Sequence, residues 1–292
     1  MTTNGPSVGR SKRTPAKHEL MSKIFGREIG AMTRPRFADV QGVHWVDLTA
    51  GDGAPSEPDR DWHKSCSPGI LAHHARYARC HKRVVVDLYE LRASTYESLL
   101  ANLAERLPAL GYVRTTESGW DAHAGRVIVR AHNGDSTALA TLETPPSWAV
   151  QIVNDPNKVS DWAMHPALMG NASTGRWCCL AMSTMGCNVA GLKMLKQSER
   201  DRWYEFIVGQ VRGLQPHHDL FIAAIERDAA QWAYLVTAPG VWRDAVAEES
   251  SAAFRKIGHT LRTAWLRSSP DRFREICDAL FKTKKELGEV SE

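Results

Sequence analysis

The chain has 292 residues, is 43% hydrophobic and 24% charged, and carries a net charge of +4. These values exclude a disordered or fibrous protein, and no apolar run approaches the roughly 20 residues that a membrane-spanning helix needs. The N-terminus lacks the apolar stretch of a secretory signal. The six cysteines (Cys66, Cys80, Cys178, Cys179, Cys187 and Cys277) show no regular spacing, so the expectation is a cytosolic protein with reduced thiols and no membrane partner.

The charge is uneven. Residues 1–37 hold eight Lys and Arg against Glu19 and Glu28, a balance of +6, which leaves −2 for the rest. With Pro6, Pro15 and Pro35 and few bulky apolar residues before Ile24, the first twenty residues read as disordered. Such an arm suits phosphate groups, although a solubilising tail has the same composition. The domain expectation is therefore a basic, partly disordered extension over 1–40, an α/β domain over 41–240, and C-terminal helices over 241–292.

From Val43 onward, short β-rich runs alternate with helical patterns, which predicts a mostly parallel sheet with helices on both faces. Strands are expected near His44–Leu48, Val84–Glu90, Arg126–Ala131, Ala149–Asn154, Trp177–Ser183, Leu220–Glu226 and Gln231–Thr237, seven in all. Ser67-Pro68-Gly69 predicts a helix start with Ser67 as cap. A second helix carries Tyr96, Leu99, Leu100, Leu103 and Leu107 and stops at Pro108. Ser198-Glu199-Arg200-Asp201 resembles a capping box. The last two strands are separated only by residues 227–230, so they must form an antiparallel hairpin. Beyond Pro239, the stripe Phe254, Ile257, Leu261 and Trp265 reads as helical. Ser269-Pro270 opens a further helix carrying Phe273, Ile276 and Leu280.

Four short stretches carry the chemistry. In "VDLTAGDG", residues 46–53, a strand runs into a turn with Gly51 and Gly53, where backbone can approach a ligand closely. The third glycine of a dinucleotide fingerprint is missing, since Ser56 stands there, and the pattern is Asp47-x-x-x-Gly51-x-Gly53. "VVVDLYE" offers an acid at the end of the second strand for a ribose, Glu90 first and Asp87 as the alternative. "HNGD" places Asp135 after the third strand, where it suits the amino group of an adenine. "VNDPN" places Asn154, Asp155, Pro156 and Asn157 after the fourth, facing the crevice outside the strand ends. Each stretch alone has a plain explanation as turn or cap chemistry.

In this order, the four stretches resemble the motifs of class I S-adenosylmethionine-dependent methyltransferases, as does the terminal hairpin. The likeness covers about residues 42–240. Within that group, the insertion after "DLTAGDG", then "SPGILA", "GD" and "DPN" followed by Trp162, look most like the three-Cys-motif partner family. The resemblance implies a Rossmann-like methyltransferase fold that binds S-adenosylmethionine. It gives Asp47, Thr49, Gly51 and Gly53 to the methionine end, Glu90 or Asp87 to the ribose, Asp135 to the adenine and Asp155 to the acceptor. Thr49 replaces the first glycine of the usual turn. Asn157 and Lys158 stand where enzymes methylating base amino groups usually carry an aromatic, and Trp162 is the candidate substitute.

The expected activity is methyl transfer, with nucleic acid as the leading acceptor, for example an amino group of a DNA base such as adenine N6. The competing expectation is a non-catalytic or protein-directed partner protein that keeps the cofactor pocket and serves a mobile element or defence system. Cys66, His73, His74, Cys80 and His81 have zinc-suited chemistry, but their spacing matches no common site, and no metal is expected. Residues 54–66 read as an insertion beside the pocket, a candidate lid.

Overall fold

The computed structural model describes residues 14–55, 61–78, 81–135, 144–145, 147–153, 178–183, 218–227, 230–239 and 260–280, with the isolated positions 205, 248 and 252. In chain order the elements are α1 (Thr14–Ala31), β1 (Gly42–Asp47), the single turn α2 (Trp62–Ser65), α3 (Ser67–Arg76), β2 (Arg83–Glu90) and α4 (Ala93–Arg106). They continue with β3 (Val113–Thr116), β4 (Gly119–Ala122), β5 (Val127–Asn133), β6 (Trp148–Val153), β7 (Cys178–Ser183), β8 (His218–Arg227), β9 (Ala230–Pro239), β10 (Thr260–Trp265) and α5 (Pro270–Leu280).

The described strands form one sheet in the order β10-β8-β9-β7-β6-β1-β2-β5-β4-β3. The five central strands, β7, β6, β1, β2 and β5, are mutually parallel. Antiparallel pairs flank them: β9 on β7, β8 on β9 and β10 on β8 at one side, β4 on β5 and β3 on β4 at the other. The molecule is thus mixed α/β with a parallel centre. Each of the seven expected strands has a counterpart, and the sheet adds three more.

The missed strands have two causes. β3 and β4 are four residues each, too short for a period of two to stand out. β10 was expected as helix because Leu261 and Trp265 fit a spacing of four. The segment instead pairs with β8 over Thr260–Trp265, satisfying a strand edge that would otherwise be bare. Beyond it, α5 begins at the Pro270 start signal and buries Phe273 and Ile276.

β1 is buried along its whole length, as a central parallel strand must be. β1 to β2 and β2 to β5 step the same way across the sheet, so right-handed crossovers put α3 and α4 on one face. There Leu99, Leu103 and Leu107 join Ile70, Leu71, Val84, Val86, Leu88, Val127 and Val129 in a single core. Helices expected on the opposite face between β6 and β8, the capping box at Ser198 included, fall outside the described residues.

α1 packs on α3 and sends Met21, Phe25 and Ile29 into the same core, with Phe25 edge-on to Trp45 at 5.3 Å. The expectation of disorder over the first twenty residues therefore fails from Thr14 onward. An i, i+4, i+8 apolar stripe overrides the low mean hydropathy of the segment.

Candidate functional site

Strands β2 and β5 follow β1 on one side and β6 lies on the other, so the order reverses between β1 and β6. In such sheets the crevice outside the carboxyl ends at the reversal is where ligands bind. Hydrogen bonds stitch the four sequence stretches together at that edge. The Ala50 N–H donates to Tyr89 O at 3.0 Å, joining the turn after β1 to the end of β2. The Gly134 N–H donates to Glu90 O at 3.1 Å, and the Leu48 N–H to Val153 O at 2.9 Å. Asn133 Nδ2 adds a second bond to Glu90 O at 3.0 Å. Asp135 follows β5 directly and is exposed. Asn154, Asp155, Pro156, Asn157 and Trp162 lie outside the described residues.

The turn has a defined shape. Asp47 is fully buried, and its Oδ1 accepts from the Thr49 N–H at 3.0 Å, so it shapes the turn from beneath. Gly51 and Gly53 both sit at φ +66°, a region that side chains with a Cβ seldom occupy. Their surroundings differ. A Cβ on Gly51 would meet nothing within 4 Å, whereas one on Gly53 would lie 2.7 Å from Leu99 Cδ1. Gly51 borders open space, and Gly53 lets the turn close on α4.

The carbonyls of the turn are anchored. Asp52 O accepts from Asn102 Nδ2 of α4 at 2.9 Å, and Gly53 O accepts from Trp62 Nε1 at 2.7 Å and from the Cys66 thiol at 3.3 Å. Cys66, not Ser67, caps α3: its sulfur accepts from the Gly69 N–H at 3.4 Å. Burial pushes the Cys66 thiol up to about 12, opposed by the Gly69 N–H and reinforced by the carboxylates of Asp52 and Asp47. The sequence marked residues 54–66, with Trp62 and Cys66, as an insertion beside the pocket, but gave no signal for these contacts or for that of Asn102 on α4, because side-chain contacts between separate elements have no period.

Glu90 ends β2 and is buried. Its contacts with Arg92, a hydrogen bond from the N–H at 2.9 Å and an ion pair at 3.8 Å, are both made through Oε1. Beside it, Leu91 is 63% exposed.

Asp87 does not belong to this set. Three residues from Glu90 along a strand, it projects from the opposite face of the sheet. There its carboxylate is fully used. Oδ1 accepts from Arg130 Nε at 2.7 Å and His132 Nε2 at 2.8 Å, and Oδ2 accepts from Arg130 Nη2 and His44 Nε2, both at 2.7 Å. A carboxylate only accepts, so both imidazoles donate from Nε2. His44 Nδ1 then meets the Thr144 hydroxyl at 2.6 Å, and His132 stacks on Tyr89 at 4.6 Å between centroids. Burial opposes ionisation of Asp87, but the bonds from His132, His44 and Arg130 outweigh it and hold the carboxyl well below its ordinary range.

The histidines of α3 are structural contacts. His73 stacks on His63 at 4.3 Å, and His74 Nε2 lies 3.0 Å from Ser22 Oγ of α1. Cys66 is committed to its cap and Cys80 lies outside the described residues. Among the described residues no group of three or more His, Cys, Asp or Glu is placed to hold a metal ion, and no helix is long and apolar enough to cross a membrane.

The chain matches no protein-family model and no curated protein, so the narrower likeness to the three-Cys-motif partner family finds no support. Among solved structures it is similar to protein LPL1258 from Legionella pneumophila str. Philadelphia 1, of family DUF519. The identity is 11% over 88% of this chain and 96% of that one, with a TM-score of 0.43. It is also similar to a predicted O-methyltransferase, protein Atu636 from Agrobacterium tumefaciens, at 14% identity over 73% of this chain and 79% of that one, with a TM-score of 0.36. Both scores are under 0.5, and the weight falls on the chain's own topology and turn.

Proposed function

We propose that the protein is a methyltransferase that uses S-adenosylmethionine. The observation that carries this reading is the joining, at one sheet edge, of an open positive-φ turn after β1, the buried Glu90 at the end of β2 and the loop after β5. That sequence of groups fits an elongated ligand with a zwitterionic amino-acid end, a ribose and a flat base. Gly51 gives the amino-acid end room, Glu90 Oε2 can accept from ribose hydroxyls, and Leu91 offers an apolar surface to the adenine with Asp135 at its rim. Asp47 and Thr49 shape the turn.

When bound, S-adenosylmethionine supplies an electrophilic methyl group, and the chain's task is to align an acceptor with it and remove a proton where the acceptor is neutral. Asp155, with Asn154, Pro156 and Asn157, follows β6 in the sequence and is the proposed acceptor face. Nucleic acid is the proposed acceptor on the strength of the basic segment 1–37.

Calorimetry tests the cofactor. The expected result is saturable binding of S-adenosylmethionine that weakens about 10- to 100-fold in Glu90→Gln, since hydrogen bonds to a charged group are worth about 1.5–3 kcal/mol. Gly51→Trp fills the open space and should abolish binding, at a backbone cost of about 1–2 kcal/mol in stability. Gly53 is the wrong place for that test, because a side chain there disturbs Leu99 first. Transfer of labelled methyl to DNA, RNA or protein identifies the acceptor. An absence of binding, or binding indifferent to both variants, would remove the cofactor reading.

A further inference from the structure

We infer that Trp62, Cys66 and Asn102 are positioning residues for the cofactor turn: from two sides, they fix its peptide planes so that the Gly53 N–H is presented to the ligand. The inference rests on the turn being the S-adenosylmethionine site. It adds that part of the insertion after β1 belongs to that site's machinery as a brace.

The geometry runs through two consecutive peptide groups. In a trans peptide the C=O and N–H point in opposite directions. The Asp52 carbonyl is drawn toward α4 by Asn102 Nδ2 at 2.9 Å, so the N–H of the same peptide, that of Gly53, points away from α4. The next peptide is held at both ends: Gly53 O by the Trp62 indole and the Cys66 thiol, and the Ala54 N–H by Asp52 Oδ1 at 3.0 Å. The residue between the two braces has φ +66° and no Cβ, so its own side chain does nothing to fix its orientation, and the local bond from the Ala54 N–H to Asp52 holds only one end of one peptide. Side chains distant in sequence hold both carbonyls.

The braces are themselves braced. Asn102 Nδ2 also donates to Ser98 O at 3.0 Å, which orients its amide along α4. A Cβ on Gly69 would lie 2.4 Å from Trp62 O, so α3 can approach α2 this closely only with glycine there. Cys66 joins both helices by capping α3 while donating to Gly53 O, and a thiol buried this way remains the protonated donor. Trp62 is buried and its ring faces Gly69. The indole N–H therefore reaches Gly53 O from a fixed frame.

The decisive variant is Trp62→Phe, which keeps an aromatic ring and deletes the donor. In the full chain, S-adenosylmethionine affinity by calorimetry should fall about tenfold, the loss of one hydrogen bond to a buried carbonyl. Hydrogen exchange at Ala54, whose N–H is bonded to Asp52 Oδ1, should quicken in the ligand-free variant. Trp120→Phe, a matched change in the buried strand β4, is the control: it should lower the unfolding temperature while leaving affinity unchanged. Asn102→Asp turns a donor into an acceptor against Asp52 O and should weaken binding by at least as much as Trp62→Phe. This second variant keeps the test decisive should Trp62→Phe fail to fold.

A wild-type chain that does not bind S-adenosylmethionine would remove the cofactor reading together with this assignment. A wild-type chain that binds, with affinity unchanged in both Trp62→Phe and Asn102→Asp, would overturn the assignment alone. So would an equal loss of affinity in Trp120→Phe, since the effect would then follow stability and not the orientation of the turn.

Discussion

Asp87 accepts four hydrogen bonds on two oxygens from three residues of the two neighbouring strands while only 5% of its side chain is exposed. Its partner Arg130 is half exposed, so part of the pairing is screened by water, and Asp87→Asn should cost about 2–4 kcal/mol in urea unfolding near neutral pH. The amide would turn an N–H₂ against donors that need an acceptor. The sign of the pH dependence follows from the depressed carboxyl. The wild type has the full stabilisation above the ordinary value of 3.8 and loses it as pH falls below that value. The gap between wild type and Asp87→Asn should therefore narrow on acidification from about pH 6 to about pH 2. A constant gap would show that the ionised state contributes nothing. The sequence contained the means to separate Asp87 from Glu90, since side chains three apart on a strand face opposite ways. What it withheld was the set of partners, His44, Arg130 and His132, which become neighbours only through strand register.

At the scale of elements, the seam between α1 and α3 holds a second charge-sensitive contact. His74 lies against α1, 3.0 Å from Ser22 Oγ and beneath Gly26, whose Cβ would come 2.9 Å from the imidazole ring. Burial lowers its pKa to about 4, with His73, His63 and Lys23 also disfavouring the charged form and Ser22 favouring it. A histidine lowered in this way gives its full contribution above the unfolded value of 6.5 and loses it as pH falls toward 4.

Docking of α1 should thus weaken between these values. Going from about pH 7 to about pH 5, the wild type should lose about 1–2 kcal/mol more stability than His74→Gln, which retains hydrogen-bonding capacity toward Ser22. Urea midpoints at the two pH values measure this, and parallel losses would remove His74 as the cause. The helix was hidden in the sequence by its charge and by Pro15 at its start, although Met21, Phe25 and Ile29 already had the right spacing. β10 was hidden in the opposite way: Leu261 and Trp265 fit a helix, and only the open edge of β8 decides for strand. Local pattern is a weak guide where a neighbouring element supplies the missing hydrogen bonds.

At the scale of the molecule, the reversal of strand order between β1 and β6 gathers the turn, Glu90 and the loop after β5 at one edge, and the proposed ligand must lie there. That edge was legible because each apolar run ended in a glycine or an acid, and parallel strands bring all their carboxyl ends to the same side. The braces on the turn were not legible, since Trp62, Cys66 and Asn102 reach it from elements that have no periodic relation to it.

A whole-molecule test follows by hydrogen exchange with and without S-adenosylmethionine. Protection should rise in residues 48–54, 90–92 and 133–135, which come from three different strand ends. It should stay unchanged in β3, β4 and β10, which lie at the margins of the sheet. Protection spread evenly over the sheet would mean that the ligand acts through global stability, because any ligand of the native state raises the free energy of complete opening. The two patterns separate because amides at strand ends exchange by local opening, which responds to contact with the ligand, while those of buried β1 exchange only when the whole sheet opens. Protection confined to residues 90–92 and 133–135, with the turn unaffected, would fit a nucleoside without an amino-acid end and would move the site off Gly51.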